Sequence, residues 1–221
     1  MLKSAIKKIM KSAIVLRLYN RLNPKNIFGF RKTNCFVNKG ALLRGVSVQI
    51  RGTNNKIIIG KNSTLCGCTI KIFGNNNVIN IGDECLINNG TFWIEDDEGV
   101  ISIGNKTSVN GKTEFACIEG TKIAVGEDCM FSSGITLRTG DSHSIVDMYG
   151  KRINLSKNID IGNHVWIGAD VICLKGVSVS DNTIIGAKSL LTKSFQQKNT
   201  VIAGNPATVI KENVDWLRQR I

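Results

Sequence analysis

Residues 159–191 read IDIGNHVWIGADVICLKGVSVSDNTIIGAKSLL, and one pattern repeats through this stretch every six residues. The large residues expected to point inward are Ile161, Ile167, Cys173, Val179, Ile185 and Leu191. The slimmer inward residues, two positions earlier, are Ile159, Val165, Val171, Val177, Thr183 and Ser189. A period of six is neither the 3.6-residue period of a helix nor the two-residue alternation of an ordinary strand. It is typical of a triangular coil with three short faces, in which both sets fill a narrow core.

An ordinary parallel sheet is the alternative architecture for so many short apolar runs. Its strands would need crossover connections of about a dozen residues or more, and the six-residue spacing leaves no room for them. The sequence therefore predicts an all-β fold, a parallel β-helix of hexapeptide repeats.

The first half of the chain keeps this pattern with a longer repeat. Apolar-glycine pairs recur every 22 residues, at Ile59-Gly60, Ile81-Gly82, Ile103-Gly104 and Val125-Gly126. That spacing equals three faces of six residues plus four additional residues at one corner. The additional residues are Gly74-Asn75-Asn76-Asn77, Asp96-Asp97-Glu98-Gly99 and Glu119-Gly120-Thr121-Lys122. Asn and Gly tolerate positive φ and suit tight corners, so we expect one continuous β-helix domain over residues 23–210.

Both ends of the chain depart from the repeat. Residues 1–22 read as a basic amphipathic helix, which Asn23-Pro24 ends. Charges interrupt its apolar residues and no small-residue cleavage site follows, unlike a signal peptide. One interpretation is a helix lying on an anionic inner-membrane surface; the other is a helix that caps the open coil or packs on a neighbouring subunit. Residues 211–221 read as a short helical tail suited to lying across a neighbour.

The chain has 221 residues and a formal net charge of +12. Its basic residues are scattered, aromatic residues are few and no recognition motif appears, so we do not expect a nucleic-acid partner. Steering of a polyphosphate-bearing cofactor or of an anionic glycan explains the charge as well. No stretch is long enough to span a bilayer.

Seven cysteines are present, but their positions do not indicate disulfides. Cys85, Cys129 and Cys173 fall at inward positions, where a thiol acts as a small hydrophobe. The pair Cys66-x-Cys68 has no matching second pair, so we expect no metal site. These features predict a reducing, cytoplasmic location.

Two stretches carry a resemblance to the hexapeptide-repeat acyltransferases. They are residues 161–193 and the run Val201-Ile-Ala-Gly-Asn-Pro-Ala-Thr-Val-Ile-Lys211. Within that superfamily the chain resembles the bacterial capsule and O-antigen O-acetyltransferases, above all those of sialic-acid capsules. Asp141-Ser-His143, the Gly-Asn-His-Val-Trp run and the Lys-Glu-Asn-x-x-Trp216 tail are similar to theirs.

This resemblance implies a left-handed parallel β-helix with a protruding loop and short N- and C-terminal helices. It also implies a homotrimer, acetyl-CoA as the co-substrate and active sites in the grooves between subunits. The predicted function is transfer of an acetyl group from acetyl-CoA to a sugar hydroxyl of a bacterial surface polysaccharide. Two alternatives stay open: an N-acetyltransferase acting on an amino-sugar nucleotide, and a non-catalytic β-helix scaffold.

The repeat is interrupted once in the second half, at about residues 138–160, which predicts a protruding loop. Function concentrates on loops held by a rigid scaffold, and this loop holds His143, one of only two histidines. Histidine titrates near neutrality and is the commonest general base. A polar surface histidine would be the ordinary interpretation, but the family resemblance implies that His143 is the base. Asp141 is expected either to orient it or to bind the acceptor.

Trp166 is the second catalytic candidate, since the resemblance places the matching Trp of the capsule O-acetyltransferases in their active site. It faces outward between inward neighbours, where an aromatic ring needs a cover. The other histidine, His164, is expected to support the site rather than act as the base.

Cofactor contacts follow only from similarity to the galactoside and maltose acetyltransferase pattern. Ala169 and Ala187 would present backbone along the pantetheine arm. Thr192, Lys193 and Lys211 would lie near the adenosine phosphates, where Lys offers a point charge. Thr208 replaces an Arg common in those relatives, which puts one phosphate contact in doubt.

Overall fold

The computed structural model describes residues 13–221 as a parallel β-helix with three faces. Face 1 consists of β2 (Cys35–Asn38), β5 (Lys56–Ile59), β8 (Val78–Ile81), β10 (Val100–Ile103), β12 (Lys122–Val125), β15 (Ile159–Ile161) and β18 (Ser178–Val179). Face 2 consists of β3 (Leu42–Arg44), β6 (Thr64–Cys66), the first parts of β9 (Leu86–Glu95) and β11 (Ser108–Cys117), β13 (Met130–Phe131), β16 (Trp166–Ile167), β19 (Ile184–Ile185), β21 (Thr200–Gly204) and β22 (Ala207–Glu212). Face 3 consists of β1 (Ile27–Gly29), β4 (Ser47–Arg51), β7 (Thr69–Phe73), the second parts of β9 and β11, β14 (Ile135–Arg138), β17 (Ile172–Cys173) and β20 (Leu190–Leu191).

Three corners join the faces. The glycine corner lies between faces 1 and 2 and contains Gly60, Gly82, Gly104, Gly126 and Gly162. The alanine corner lies between faces 2 and 3 and contains Ala169 and Ala187. The loop corner lies between faces 3 and 1, where the chain leaves the coil after β14 and returns at β15.

The core confirms the predicted repeats. All twelve predicted inward positions between residues 159 and 191 are buried. In the first half, strands pair with a constant offset of 22 residues, as Val78 does with Val100 and Val100 with Lys122. The interior is therefore one column of aliphatic side chains stacked coil on coil, which is how solenoids bury a continuous core.

A ladder of buried asparagines closes the loop corner of the early coils. The Asn55 side-chain oxygen accepts the Asn77 amide at 2.9 Å, and the Asn77 oxygen accepts the Gly99 amide at 2.7 Å. The Asn77 side-chain amide also donates to the Asp96 carbonyl at 3.0 Å. These bonds satisfy backbone groups that a sharp turn would otherwise leave unpaired.

Only the end of the predicted N-terminal helix falls within the described residues, as α1 (Ala13–Leu22); residues 1–12 lie outside them. Leu16 is buried, and the Asn20 side chain donates to the Ala41 carbonyl and accepts the Leu43 amide. The described part of the helix therefore packs on the first coil. In residues 13–221 no helix has the length and apolar character needed to cross a bilayer.

The prediction of a helical tail over residues 211–221 is wrong. The chain continues as β22 to Glu212, pairs antiparallel with β21, and then runs irregularly to Ile221. Pairing of β22 supplies hydrogen-bond partners to the last open strand of face 2, an edge that otherwise stays unpaired. The irregular part is held by Trp216, which is buried.

Candidate active site

The loop that contains His143 emerges from the loop corner as residues 139–158 and is tied down at its base. Arg152 forms a bidentate pair with Glu119, at 2.6 and 3.0 Å, and Ser156 donates to the same carboxylate at 2.7 Å. Glu119 is one of the additional corner residues of the preceding coil. A short antiparallel bridge between Val146 and Arg152 shapes the loop itself. The loop is thus anchored to the scaffold by charged hydrogen bonds, which fix its direction.

Asn154 is buried at the centre of this loop and connects its two arms. Its side-chain amide donates to the Asp141 carboxylate at 2.7 Å and to the His143 carbonyl at 2.8 Å. Its side-chain oxygen accepts the Ile145 amide at 2.7 Å. Lys175 bonds both the Asp141 carboxylate and the Asn154 carbonyl. Asn154 therefore fixes the backbone from which the His143 side chain projects.

His143 itself is exposed to solvent, in a position where a substrate can reach its ring. The Asp141 carboxylate accepts hydrogen bonds from Asn154 and Lys175, so it stabilises the loop. The Lys175 ammonium, with the Asn154 amide beside it, holds the pKa of Asp141 below its usual range. The Arg152 and Ser156 hydrogen bonds likewise lower the pKa of Glu119. Both carboxylates are therefore charged anchors at neutral pH.

Trp166 lies on β16 of face 2 and is 37% exposed. Its partial cover comes from the same chain, since the Trp216 ring of the tail lies 6.1 Å from it between centroids. Trp216 in turn stacks on His164 at 4.2 Å and donates its indole N–H to the His164 carbonyl. The tail thus forms one wall beside Trp166.

His164 occupies the glycine corner, and both of its ring nitrogens face oxygen acceptors. Nδ1 lies 2.7 Å from the Asp128 carboxylate, and Nε2 lies 3.1 Å from the Trp216 carbonyl. Burial opposes ionisation of Asp128, but hydrogen bonds from His164 and Arg218 outweigh it and lower its pKa. Both ring nitrogens thus contact oxygen atoms of the same chain, and His164 joins the coil to the tail.

A single chain does not bring His143 and Trp166 together. His143 projects from the loop corner between faces 3 and 1, whereas Trp166 stands on face 2. A face of six residues spans on the order of 20 Å at about 3.3 Å per strand residue. The two catalytic candidates thus lie at different positions around the coil of one chain.

The predicted cofactor residues also lie at different positions around the coil. Ala169 and Ala187 stack at the alanine corner, where the Lys188 amide donates to the Ala169 carbonyl at 2.7 Å. Thr208 pairs with Ala203 near that corner, while Lys211 pairs with Val201 farther along face 2. Thr192 and Lys193 lie at the loop corner, on the same edge as His143.

No profile of a known protein family matches the chain. Individual relatives do match, among them the polysialic acid O-acetyltransferase of Neisseria meningitidis, 36% identical over 110 residues, 49% of this chain and 51% of that protein. Among solved structures, the polysialic acid O-acetyltransferase OatWY shares 35% identity and a TM-score of 0.81, covering 89% of this chain and 92% of that one. The polySia specific acetyltransferase NeuO shares 32% identity and a TM-score of 0.77, covering 88% and 79% of the two chains. The chain belongs to the hexapeptide-repeat acetyltransferases.

The expected left-handed β-helix is confirmed by both structures. The match to two curated polysialic acid O-acetyltransferases spans only 31% and 51% of their own length.

The buried thiols are part of the core. Burial raises the pKa of Cys68 to about 11 and the pKa values of Cys129 and Cys173 to about 12. A thiol with so high a pKa is a poor nucleophile at neutral pH. Among residues 13–221, no group of three or more His, Cys, Asp or Glu side chains is placed to hold a metal ion.

Sequence reasoning missed the residues that hold the acetyltransferase loop and tail, namely Glu119, Asp128, Arg152, Asn154, Lys175 and Arg218. Glu119 offered one signal, since it is an acidic residue in the extra corner just before the loop coil. The others are polar residues of outward positions, of the loop or of the tail, to which the six-residue pattern assigns no role.

Proposed function

We propose that this protein transfers the acetyl group of acetyl-CoA to a sugar hydroxyl of a bacterial surface polysaccharide. The observation that carries the proposal is the anchored loop, which presents an exposed histidine from a fold shared with polysialic acid O-acetyltransferases. The names of these relatives favour an anionic glycan as acceptor, and the positive net charge of the chain is complementary to it.

His143 is the proposed general base. A sugar hydroxyl is a poor nucleophile at neutral pH, and the imidazole accepts its proton as the oxygen attacks the thioester carbonyl. Such base catalysis typically contributes about 10²–10⁴-fold. The tetrahedral intermediate collapses with cleavage of the carbon–sulfur bond, and the imidazolium returns the proton to the leaving thiolate. The products are the acetyl ester and free CoA, with no acyl-enzyme.

Trp166 is proposed to act in the same site, from the neighbouring subunit of a homotrimer. Its indole N–H or its ring would hold the acceptor or the developing oxyanion. In this assembly His143 of one subunit would stand opposite Trp166 of the next, and the different positions of the two residues around the coil support it.

Acetyl-CoA is proposed to lie along the alanine corner. Small side chains at Ala169 and Ala187 let a pantetheine arm approach the backbone, and the corner is open to solvent there. Lys193, Lys211 and the hydroxyls of Thr192 and Thr208 are the proposed phosphate contacts. Seven free thiols suit a reducing cytoplasm as the working compartment.

The experiment is CoA release from acetyl-CoA, with polysialic acid, neutral capsular glycans and amino-sugar nucleotides as acceptors. We expect stimulation by a polysaccharide, and we expect His143→Ala to lower it at least about a hundredfold with CoA affinity unchanged. Ser144→Ala, an exposed neighbour in the same loop, is the matched control and should keep the wild-type rate. Stimulation only by an amino-sugar nucleotide would replace the proposal with N-acetyl transfer, and CoA release without dependence on His143 would refute the mechanism.

A further inference from the structure

The charge of the chain is divided between its two parts. Residues 1–82 contain fifteen Lys and Arg and no Asp or Glu, whereas residues 83–221 contain fourteen Lys and Arg and seventeen Asp and Glu. The first part thus carries +15 and the second −3, which together give the net +12. The expectation of scattered basic residues is therefore wrong. An asymmetry of this size is typical of proteins that bind an anionic surface or polymer.

The β-helix converts this division along the sequence into a division in space. Because each coil stacks on the one before it, the early strands of all three faces lie at one end of the solenoid. Arg21, Lys25, Arg31 and Lys32 are all exposed in the outermost described layer. This end, residues 13–36, is called the basic end below. The lysines at positions 3, 7, 8 and 11 precede it in sequence, outside the described residues.

The basic end also exposes large apolar side chains. Leu18 is 57% exposed, Leu22 is 69% exposed and Ile27 is 63% exposed. Leu18 and Leu22 belong to the side of α1 that does not pack on the coil, since Leu16 and Asn20 occupy the packed side. A terminal solenoid coil needs a polar outer face for solubility, so this apolar surface indicates contact with a partner.

We propose that the basic end binds an anionic phospholipid surface. Apolar side chains surrounded by Lys and Arg are the combination that interfacial helices use, because the leucines enter the acyl boundary while the cations meet lipid phosphates. Nucleic acid or an anionic glycan would use the cations but gain nothing from exposed leucines. In a cyclic trimer the three basic ends would point to the same side, so three contacts would act together. The inference does not depend on the acetyl transfer reaction.

The test is co-sedimentation of the full-length protein with vesicles of phosphatidylcholine alone and of phosphatidylcholine mixed with phosphatidylglycerol. We expect binding only to the anionic vesicles, weakened by salt. The double substitution Arg31→Gln with Lys32→Gln should weaken it roughly twenty-five-fold, at roughly fivefold per charge. Leu18→Ser with Leu22→Ser should weaken it roughly tenfold or more. Neither pair lies in the proposed catalytic machinery, so CoA release should be unchanged.

Matched controls come from parts of the molecule away from the basic end. Lys122→Gln and Leu217→Ser remove an exposed charge and an exposed leucine there, and both should bind vesicles like wild type. Equal binding to neutral and anionic vesicles, or to neither, would overturn the proposal. So would leucine variants that bind normally while a soluble anionic polymer displaces the protein, because the site would then recognise polyanions. A change of oligomeric state in the leucine variants would assign the surface to a subunit interface instead.

Discussion

At the scale of single residues, the decisive feature is that His143 is held through its backbone. The Asn154 side-chain amide donates to the His143 carbonyl and to the Asp141 carboxylate. Lys175 donates to the same carboxylate. The scaffold thereby determines where the imidazole stands without occupying the ring. If His143 is the base, as proposed, this anchoring preorganises it for the acceptor hydroxyl, where positional accuracy affects the rate.

Asn154→Ala tests this positioning. We expect kcat to fall about tenfold or more with KM for acetyl-CoA nearly unchanged, since the base is misplaced while the alanine corner is intact. The control is Asn158→Ala, which removes a loop asparagine whose side chain accepts the Lys122 amide instead. It should leave kcat near the wild-type value. Equal losses of kcat in both variants would mean that the loop responds only to general destabilisation.

At the scale of elements, corner ladders hold the coil and charged pairs hold the loop. The asparagine ladder uses side chains to satisfy backbone groups, so its members are buried and cannot be replaced by apolar residues of similar size. The loop is held by ion pairs between carboxylates and the side chains of Arg and Lys, so its attachment depends on charge.

Asn77→Ala should lower the free energy of unfolding by about 2–4 kcal/mol. The substitution leaves the Gly99 amide and the Asp96 carbonyl without their side-chain partner, and an unpaired buried polar group costs about 1–3 kcal/mol. The outward Asn80→Ala on the neighbouring strand should stay within about 0.5 kcal/mol. Urea unfolding of the two variants and the wild type gives the comparison, and similar values for both would show that the ladder does not stabilise the corner.

The loop attachment should depend on pH only under acid conditions. The folded pKa of Asp141 is lowered by Lys175 and Asn154, so its stabilisation is fully present above the unfolded carboxyl pKa of about 4 and is lost as pH falls through the lower folded value. We expect Asp141→Asn to lower Tm at pH 7. On acidification, the Tm of this variant should fall less than the Tm of the wild type. Asp160→Asn, an exposed carboxylate of β15, is the control. A variant that loses as much Tm as wild type on acidification would exclude Asp141 as an acid-sensitive anchor.

At the scale of the whole molecule, the two halves of the proposed site lie on different parts of the triangular prism. His143 projects at the loop corner and Trp166 stands on face 2, beside the tail residue Trp216. Under the proposed function, the two halves meet between subunits of a trimer.

Mixing inactive variants tests this arrangement. His143→Ala and Trp166→Ala proteins, unfolded together in equal amounts and refolded, should recover about a quarter of the wild-type rate, because random assembly of a cyclic trimer gives both native residues to about one site in four. Each variant refolded alone is the control and should remain inactive. A mixture as inactive as its components would place the whole site within one subunit.

The sequence by itself determined the fold of both halves of the chain, because a repeating inward residue specifies the coil directly. Period six defined the faces, period 22 located the additional corner residues, and the break after Leu137 located the loop. The loop histidine followed from chemistry together with family resemblance, since a lone polar residue has no periodic signal of its own.

Tertiary structure decided what the repeat does not encode. The bonds from Asn154 to Asp141 and to the His143 carbonyl lie within the loop, and the stack of Trp216 on His164 joins the tail to the coil, so the repeat encodes neither. The tail became a strand edge with an irregular end because β21 offered unpaired backbone groups, which outweighed its local helical pattern. The basic end arose because the coils stack in chain order, which puts the first described residues, with their Lys and Arg side chains, at one end of the solenoid.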